Sequence, residues 1–270
     1  MSKIKIQNLT VDYTEKNQRF TALKDVSFSV ESGEFVSVIG SSGCGKSTLL
    51  SILQGINTPT AGKILIDGNP VSGTGTDRGV VFQHYSLFPW MTARKNVAFG
   101  VKQVNKDASR VERLKIADEF LEKVGLENSK NKYPSQLSGG MQQRVAIARA
   151  LAMDTDILLM DEPFGAIDAK NRTILQELLL ELWEGDGTQD KKTVVFVTHD
   201  IDEAILLSDR IIMMSTNPGH VQKEILVPFE RPRNRAELIQ KKEYITFRNA
   251  LFALFYGDVA DKIGGSEVVL

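Results

Sequence analysis

Hydrophobic positions fall into short, dense runs separated by longer periodic stretches. Residues 35–39, 157–160, 194–197 and 211–214 are almost wholly apolar, the first of them rich in β-branched side chains. Each run is too short for a helix and reads as a buried parallel strand. Residues 3–38 read as β-structure: a strand over 3–9, a polar turn, a strand over 26–30, and the run at 35–39. Residues 62–68 form a short hairpin strand ended by Asp67-Gly68, and residues 79–83 form the next strand. Over 107–124, apolar positions recur at helical spacing (Val111, Leu114, Ala117, Leu121, Val124), and Gly125 is placed to cap the helix. Helical stretches separate the later strands. The pattern predicts an α/β fold: a parallel sheet with right-handed crossovers.

The residues just past each strand carry the chemistry. The run at 35–39 leads into Gly40-Ser41-Ser42-Gly43-Cys44-Gly45-Lys46-Ser47-Thr48, a phosphate-binding loop of the form G-x-x-x-x-G-K-[ST]. Its glycines allow a tight turn and close backbone approach. The helix it opens presents free N–H groups that favour an anion. Lys46 would reach the β- and γ-phosphates of a nucleotide, and the Ser47 hydroxyl would ligate Mg2+. The strand at 79–83 stops at Gln83, the run at 157–160 at Asp161-Glu162, and the run at 194–197 at Thr198-His199. Parallel sheets place ligands beyond the carboxyl ends of their strands, so these residues share one edge. Asp161 is positioned to hold Mg2+, and Glu162 to orient and deprotonate water. His199 could donate to the γ-phosphate and brace Glu162, and Gln83 could sense the ion or the water. Asp200 and Glu203 have the spacing of a capping box, which makes Asp200 a helix start. Tyr13, with Phe20 nearby, either stacks on adenine or packs against the fold.

Bulk properties narrow the field. The chain has 270 residues, 42% hydrophobic and 25% charged, as for one large domain or two intimate subdomains. A net charge of −1 supplies no basic field for nucleic acid. The single cysteine, Cys44, excludes an internal disulfide and reads as a small loop residue rather than a redox sensor. The first seven residues alternate polar and apolar and lack the core of a signal peptide. No run reaches the ~18 apolar residues of a membrane helix.

Residues 137–151 read Leu137-Ser-Gly-Gly-Met-Gln-Gln-Arg144, then Val-Ala-Ile-Ala-Arg149-Ala-Leu. With the strand-end residues they make the chain resemble the ATPase subunit of an ATP-binding cassette (ABC) transporter, over about residues 3–220. The resemblance implies a RecA-like P-loop core with an antiparallel β-subdomain and a helical subdomain near 88–152. The cassette would cover 3–228, with a linker and helix over 229–270. It also favours Tyr13 as the adenine-stacking ring. Ser138, Gly139 and Gly140 start a strongly periodic helix, a second anion-binding N-terminus with nothing in this chain placed to use it. In the family it caps the γ-phosphate of an opposite subunit in a head-to-tail dimer around two Mg-ATP. Asp168 matches the loop that crosses that interface, and it also suits the N-cap of a helix over 169–183. Met141, Gly165 and Ile167 depart from the commonest family residues, so none is assigned a role.

Asp77-Arg78-Gly-Val-Val-Phe-Gln83, Phe88-Pro89-Trp90, residues 162–166 and Phe229-Glu-Arg-Pro-Arg233 are similar to one importer subgroup, the nitrate, sulfonate, taurine and related small-anion or pyrimidine systems. The expected partners are membrane permease subunits, a second ATPase subunit, and indirectly a substrate-binding protein, with no nucleic acid. The expected location is the cytoplasmic face of the inner membrane. Trp90 is either an anchor for the permease or buried in the helical subdomain. The helix ending near Tyr256 carries only a seven-residue apolar run (Ala250 to Tyr256), too short to span a bilayer, and reads as packed on the core rather than as a membrane-surface anchor. Two other classes remain: a non-transport cassette ATPase, which usually carries a coiled-coil insertion or a basic patch, and a phosphotransferase, which would not need Ser138-Gly139-Gly140.

Overall fold

The computed structural model describes residues 2–15, 18–165, 167–184 and 191–263. Ala166 and residues 264–270, parts of the expected 162–166 motif and C-terminal segment, lie outside the described residues. Strands β1 (Ser2–Glu15) and β2 (Gln18–Glu31) pair as a long antiparallel hairpin. Residues 10–15 and 18–25, within the expected polar turn, are therefore strand. Register shifts between Ile6 and Asp12 interrupt simple alternation, and polar residues there pair across the ladder. Thr21 Oγ1 donates to Asp12 Oδ1 (2.6 Å) and Arg19 reaches its other oxygen (2.6 Å). Strand β3 (Phe35–Gly40) leads through the phosphate loop to helix α1 (Lys46–Leu53). Strands β4 (Ala61–Ile66) and β5 (Asn69–Pro70) complete a sheet of order β2-β1-β4-β5. Positive φ at Asp67 and Gly68 turns their hairpin with the sheet's own twist.

The second sheet contains β6 (Arg78–Val81), β7 (Ile157–Asp161), β8 (Thr193–Val197), β9 (Arg210–Ser215) and β10 (His220–Leu226) together with β3. Its spatial order is β10-β9-β3-β8-β7-β6, parallel throughout except for β10. Every residue of β3 and β8 is buried, which explains their mostly apolar character; Ser37 and Thr193 are the polar residues among them.

Three α-helices lie between β6 and β7: α2 (Ala93–Val104), α3 (Arg110–Lys123) and α4 (Gly139–Ala152). Ser109 and Glu112 form a reciprocal capping box on α3. Ala117, Leu121 and Val124 are buried as the periodicity requires, but Val111 is 77% exposed. Six positions before Ala117 it lies about 120° around the helix, off the buried face.

Helix α5 (Ala169–Glu184) precedes β8, and α6 (Ile201–Leu207) precedes β9. After β10 come α7 (Arg235–Leu238) and α8 (Lys242–Ile263), the latter extending beyond the expected end near Tyr256. Tyr244 and Leu251 are buried, so α8 packs on the core. Among the described residues no helix is long and apolar enough to cross a membrane.

Trp183 ties the C-terminal segment to this core. Its ring meets Phe35 edge-on (5.6 Å), the Arg231 guanidinium lies over it (4.3 Å), and Nε1 donates to Lys192 O (2.7 Å). Trp183→Ala is expected to cost roughly 3–5 kcal/mol of stability, read as a lower denaturant midpoint.

Candidate nucleotide site

The carboxyl ends of β3, β6, β7 and β8 open onto one edge, where a cleft of about 570 Å³ gathers Tyr13, Gln83, Glu162, His199 and the phosphate loop. Ser42, Gly43, Gly45, Lys46, Ser47 and Thr48 line it. Gly40 and Cys44 are buried and, with Ser41, shape the loop from behind. Gly43 and Gly45 hold φ of +81° and +92°, the left-handed region that a side chain would strain. Gly45 caps α1 without any side-chain acceptor, leaving the first-turn N–H groups aimed into the loop. Lys46 is buried, with Nζ donating to Gly40 O (2.7 Å) and Ser41 O (3.3 Å). Its ammonium is thereby held within the loop's concave side. Burial pushes the Cys44 thiol up, away from the reactive thiolate form.

At the last residue of β7, Asp161 is half-buried and accepts a hydrogen bond from the Ser47 hydroxyl. Burial raises its carboxyl above the usual range, the Glu162 charge adds to the rise, and Ser47 and Lys46 oppose it. Glu162 sits at φ +44°, a conformation costing on the order of 1–3 kcal/mol for a side-chain-bearing residue. Its N–H donates to Val197 O (2.9 Å), and Gly165 N–H donates to its carbonyl (3.1 Å), which fix the strained turn. The carboxylate then meets both neighbouring strand ends: Oε2 lies 3.4 Å from Gln83 Nε2 and 3.3 Å from His199 Nδ1.

Tyr13 stands at the far end of the β1–β2 hairpin, where its ring stacks on Phe20 (6.4 Å, 20° between planes). Both rings line the cleft, so the aromatic wall has two members. Ser138, Gly139, Gly140 and Asp168 do not reach it. Ser138 is exposed and caps α4, accepting from Met141 N–H (3.3 Å). Asp168 caps α5 through Asn171 N–H (3.1 Å).

Asp200 caps α6 by accepting from Glu203 N–H (3.1 Å). The expected reciprocal half of that box is absent. Glu203 turns inward instead and accepts from Thr198 Oγ1 (2.7 Å) and Gln176 Nε2 (2.9 Å). Burial raises its carboxyl, and these two donors partly offset the rise.

Two supporting residues escape sequence reasoning. Asn96 bridges Phe88 N–H (2.8 Å) with the carbonyls of Phe88, Met91 and Thr92, setting the loop after Gln83. Arg149 of α4 donates to Ser86 O (2.8 Å) and Tyr85 O (3.5 Å), joining that loop to the Ser138 helix. The available signal for Arg149 is a lone cation within the apolar run of residues 145–151, which must find partners when buried.

Residues 23–165 match the family model described as ABC transporter. An uncharacterised ABC transporter ATP-binding protein of Methanocaldococcus jannaschii, MJ0412, is 47% identical, covering 95% of this chain and 92% of its own. The nitrate import ATP-binding protein NrtD of Synechococcus elongatus is 47% identical (88% and 85% covered). The bicarbonate transport ATP-binding protein CmpD of a Synechocystis strain is 43% identical (94% and 89%). Among solved structures, the ATP-binding cassette MJ0796 in a dimeric post-hydrolysis state with ADP and Pi superposes with a TM-score of 0.76 at 39% identity. That match covers 84% of this chain and 100% of that one. A nucleotide cleft at the edge of a RecA-like sheet, matched along nearly its whole length by such relatives, places the chain in the ABC transporter family as one of its ATP-hydrolysing cassettes.

Proposed function

We propose that the chain is the ATPase subunit of an importer for a small solute of the nitrate, sulfonate or taurine type, closing head to tail with a second cassette around two Mg-ATP. One observation carries this reading: the cleft holds loop, carboxylates, glutamine and histidine on one side, while the exposed N-terminus of α4 at Ser138 lies outside it. A helix tip with free N–H groups and no local anion fits the open side of a partner's cleft. The nitrate and bicarbonate relatives favour the importer reading, and the dimeric cassette favours pairing of two chains.

Loop amides and Lys46 hold the phosphates, and Tyr13 with Phe20 receives the adenine ring. The Ser47 hydroxyl and Asp161 carboxylate are adjacent hard oxygens, a donor set that suits Mg2+ alongside Gln83. That ion supplies charge neutralisation to the phosphates. Glu162 orients a water and takes its proton as the water's oxygen attacks the γ-phosphorus. The bond to ADP breaks and phosphate is released. His199 and Gln83 hold the Glu162 carboxylate for that transfer and report its occupancy to the neighbouring loops. Ser138 of the opposing chain would close over the γ-phosphate. Trp90, 70% exposed and beside Phe88 (5.6 Å between rings), forms the anchor for a permease on the cytoplasmic face of the membrane.

Glu162→Gln is expected to retain ATP and slow hydrolysis by roughly 10²–10⁴, the usual contribution of a general base; phosphate release at the parent rate would remove Glu162 from that role. In a Glu162→Gln background, ATP should drive dimer formation in size-exclusion chromatography. Adding Ser138→Arg should abolish the dimer while the monomer still titrates with ATP, and an unchanged dimer would refute the head-to-tail closure. Trp90→Ala should leave ATP binding intact and reduce co-purification with the permease; undiminished recovery of the complex would take Trp90 out of the interface.

A further inference from the structure

A hydrogen-bonded chain runs from the C-terminal segment to the loop that carries His199. Arg235 Nη1, on α7, donates to Gln176 Oε1 of α5 (2.6 Å). Gln176 Nε2 donates to Glu203 Oε1 (2.9 Å), and Glu203 Oε2 accepts from Thr198 Oγ1 (2.7 Å). Thr198 Oγ1 in turn accepts from the backbone N–H of Asp200 (3.0 Å). The residue between Thr198 and Asp200 is His199, whose ring meets Glu162.

Gln176, Thr198 and Glu203 are buried (0%, 2% and 5% exposed), so the polarity of each link matters. A guanidinium can only donate, so Arg235 obliges the Gln176 amide to present its oxygen outward and its N–H group to Glu203. With the amide reversed, an oxygen would face a buried carboxylate. The nearest other cation, Arg172, lies 4.0 Å from Glu203 Oε1 and also holds Asp200 (3.7 Å). A buried carboxylate that loses a donor loses free energy it cannot recover from water. The same segment clamps α6 elsewhere. Arg233 Nη1 donates to the carbonyls of Ile205, Leu206 and Ser208, while Tyr244 and Arg248 of α8 both reach Asp202.

We propose that Arg235 is a positioning residue for ATP hydrolysis: by orienting Gln176 it sets, through Glu203 and Thr198, where His199 stands against Glu162. The proposal rests on the roles given above to His199 and Glu162. It makes the C-terminal segment part of the ATPase machinery as well as packing for the core.

The test uses the full chain with Arg235→Ala, Arg235→Lys, His199→Ala and the double variant Arg235→Ala/His199→Ala. In Arg235→Ala, kcat should fall on the order of tenfold with KM for ATP unchanged, because misplacement acts on the chemical step and not on binding. Arg235→Lys, which keeps a donor, should restore most of it. In the His199→Ala background, Arg235→Ala should add nothing, since residues acting as a unit are not additive. Amide hydrogen exchange supplies a readout independent of turnover: the 198–203 backbone should exchange faster in Arg235→Ala, with β9 unchanged. Full kcat in Arg235→Ala, equal fractional loss with and without His199, or unaltered exchange at 198–203 would each overturn the proposal. Wild-type kcat in His199→Ala would instead remove the reading beneath it, and that variant alone reports it.

Discussion

The burial of β3 is the constraint on which the site depends. The strand is hydrogen-bonded to β8 on one side and β9 on the other, and all six of its residues are buried. A one-residue slip would exchange Phe35 and Ile39 with Val36 and Val38 between the two core clusters that the strand separates. Its last residue is therefore a fixed point from which the phosphate loop starts. A Cβ at Gly40 would lie 2.6 Å from Met214 O and 2.5 Å from Cys44 Sγ, so the loop leaves the sheet through a gap that only glycine fits. The position of Lys46 and of the free N–H groups of α1 is set by that exit.

The neighbouring strands then deliver their chemistry by register. Asp161 pairs with Val197 across β7 and β8, so the residues just beyond, Glu162 and Thr198-His199, emerge side by side. Glu162 bends through a left-handed backbone conformation at that point, and hydrogen bonds to Val197 and Gly165 offset the strain. The carboxylate is thereby turned between Gln83 and His199 rather than into solvent. Asp161, one residue earlier and half-buried against Ser47, keeps a different environment. Two adjacent acids are thus given different partners by their position at one strand end.

Much of this was legible in the chain. Short apolar runs located β3, β7, β8 and β9 because strands buried on both faces exclude most polar side chains. The ordered residues after those runs located the cleft, because the topology of a parallel sheet sends them to one edge. Elsewhere local patterns misled for identifiable reasons. The hairpin of β1 and β2 was too long to see, since register shifts between Ile6 and Asp12 break the two-residue alternation. Val111 matched a helical template yet projects away from the packed face. Glu203 had the spacing of a capping box, but a buried hydroxyl and a buried amide compete for its carboxylate.

Sequence alone determined the fold class, the phosphate loop and the residues that share its edge, because each depends on local composition and on the order of elements along the chain. Tertiary structure alone decided how those residues are held. The second aromatic ring at Phe20, the Arg149 and Asn96 ties on the Gln83 loop, and the path from Arg235 to His199 join residues up to 64 positions apart. Such contacts have no period, and the sequence does not name their partners. They exist because polar groups buried by the packing of distant elements must find partners there.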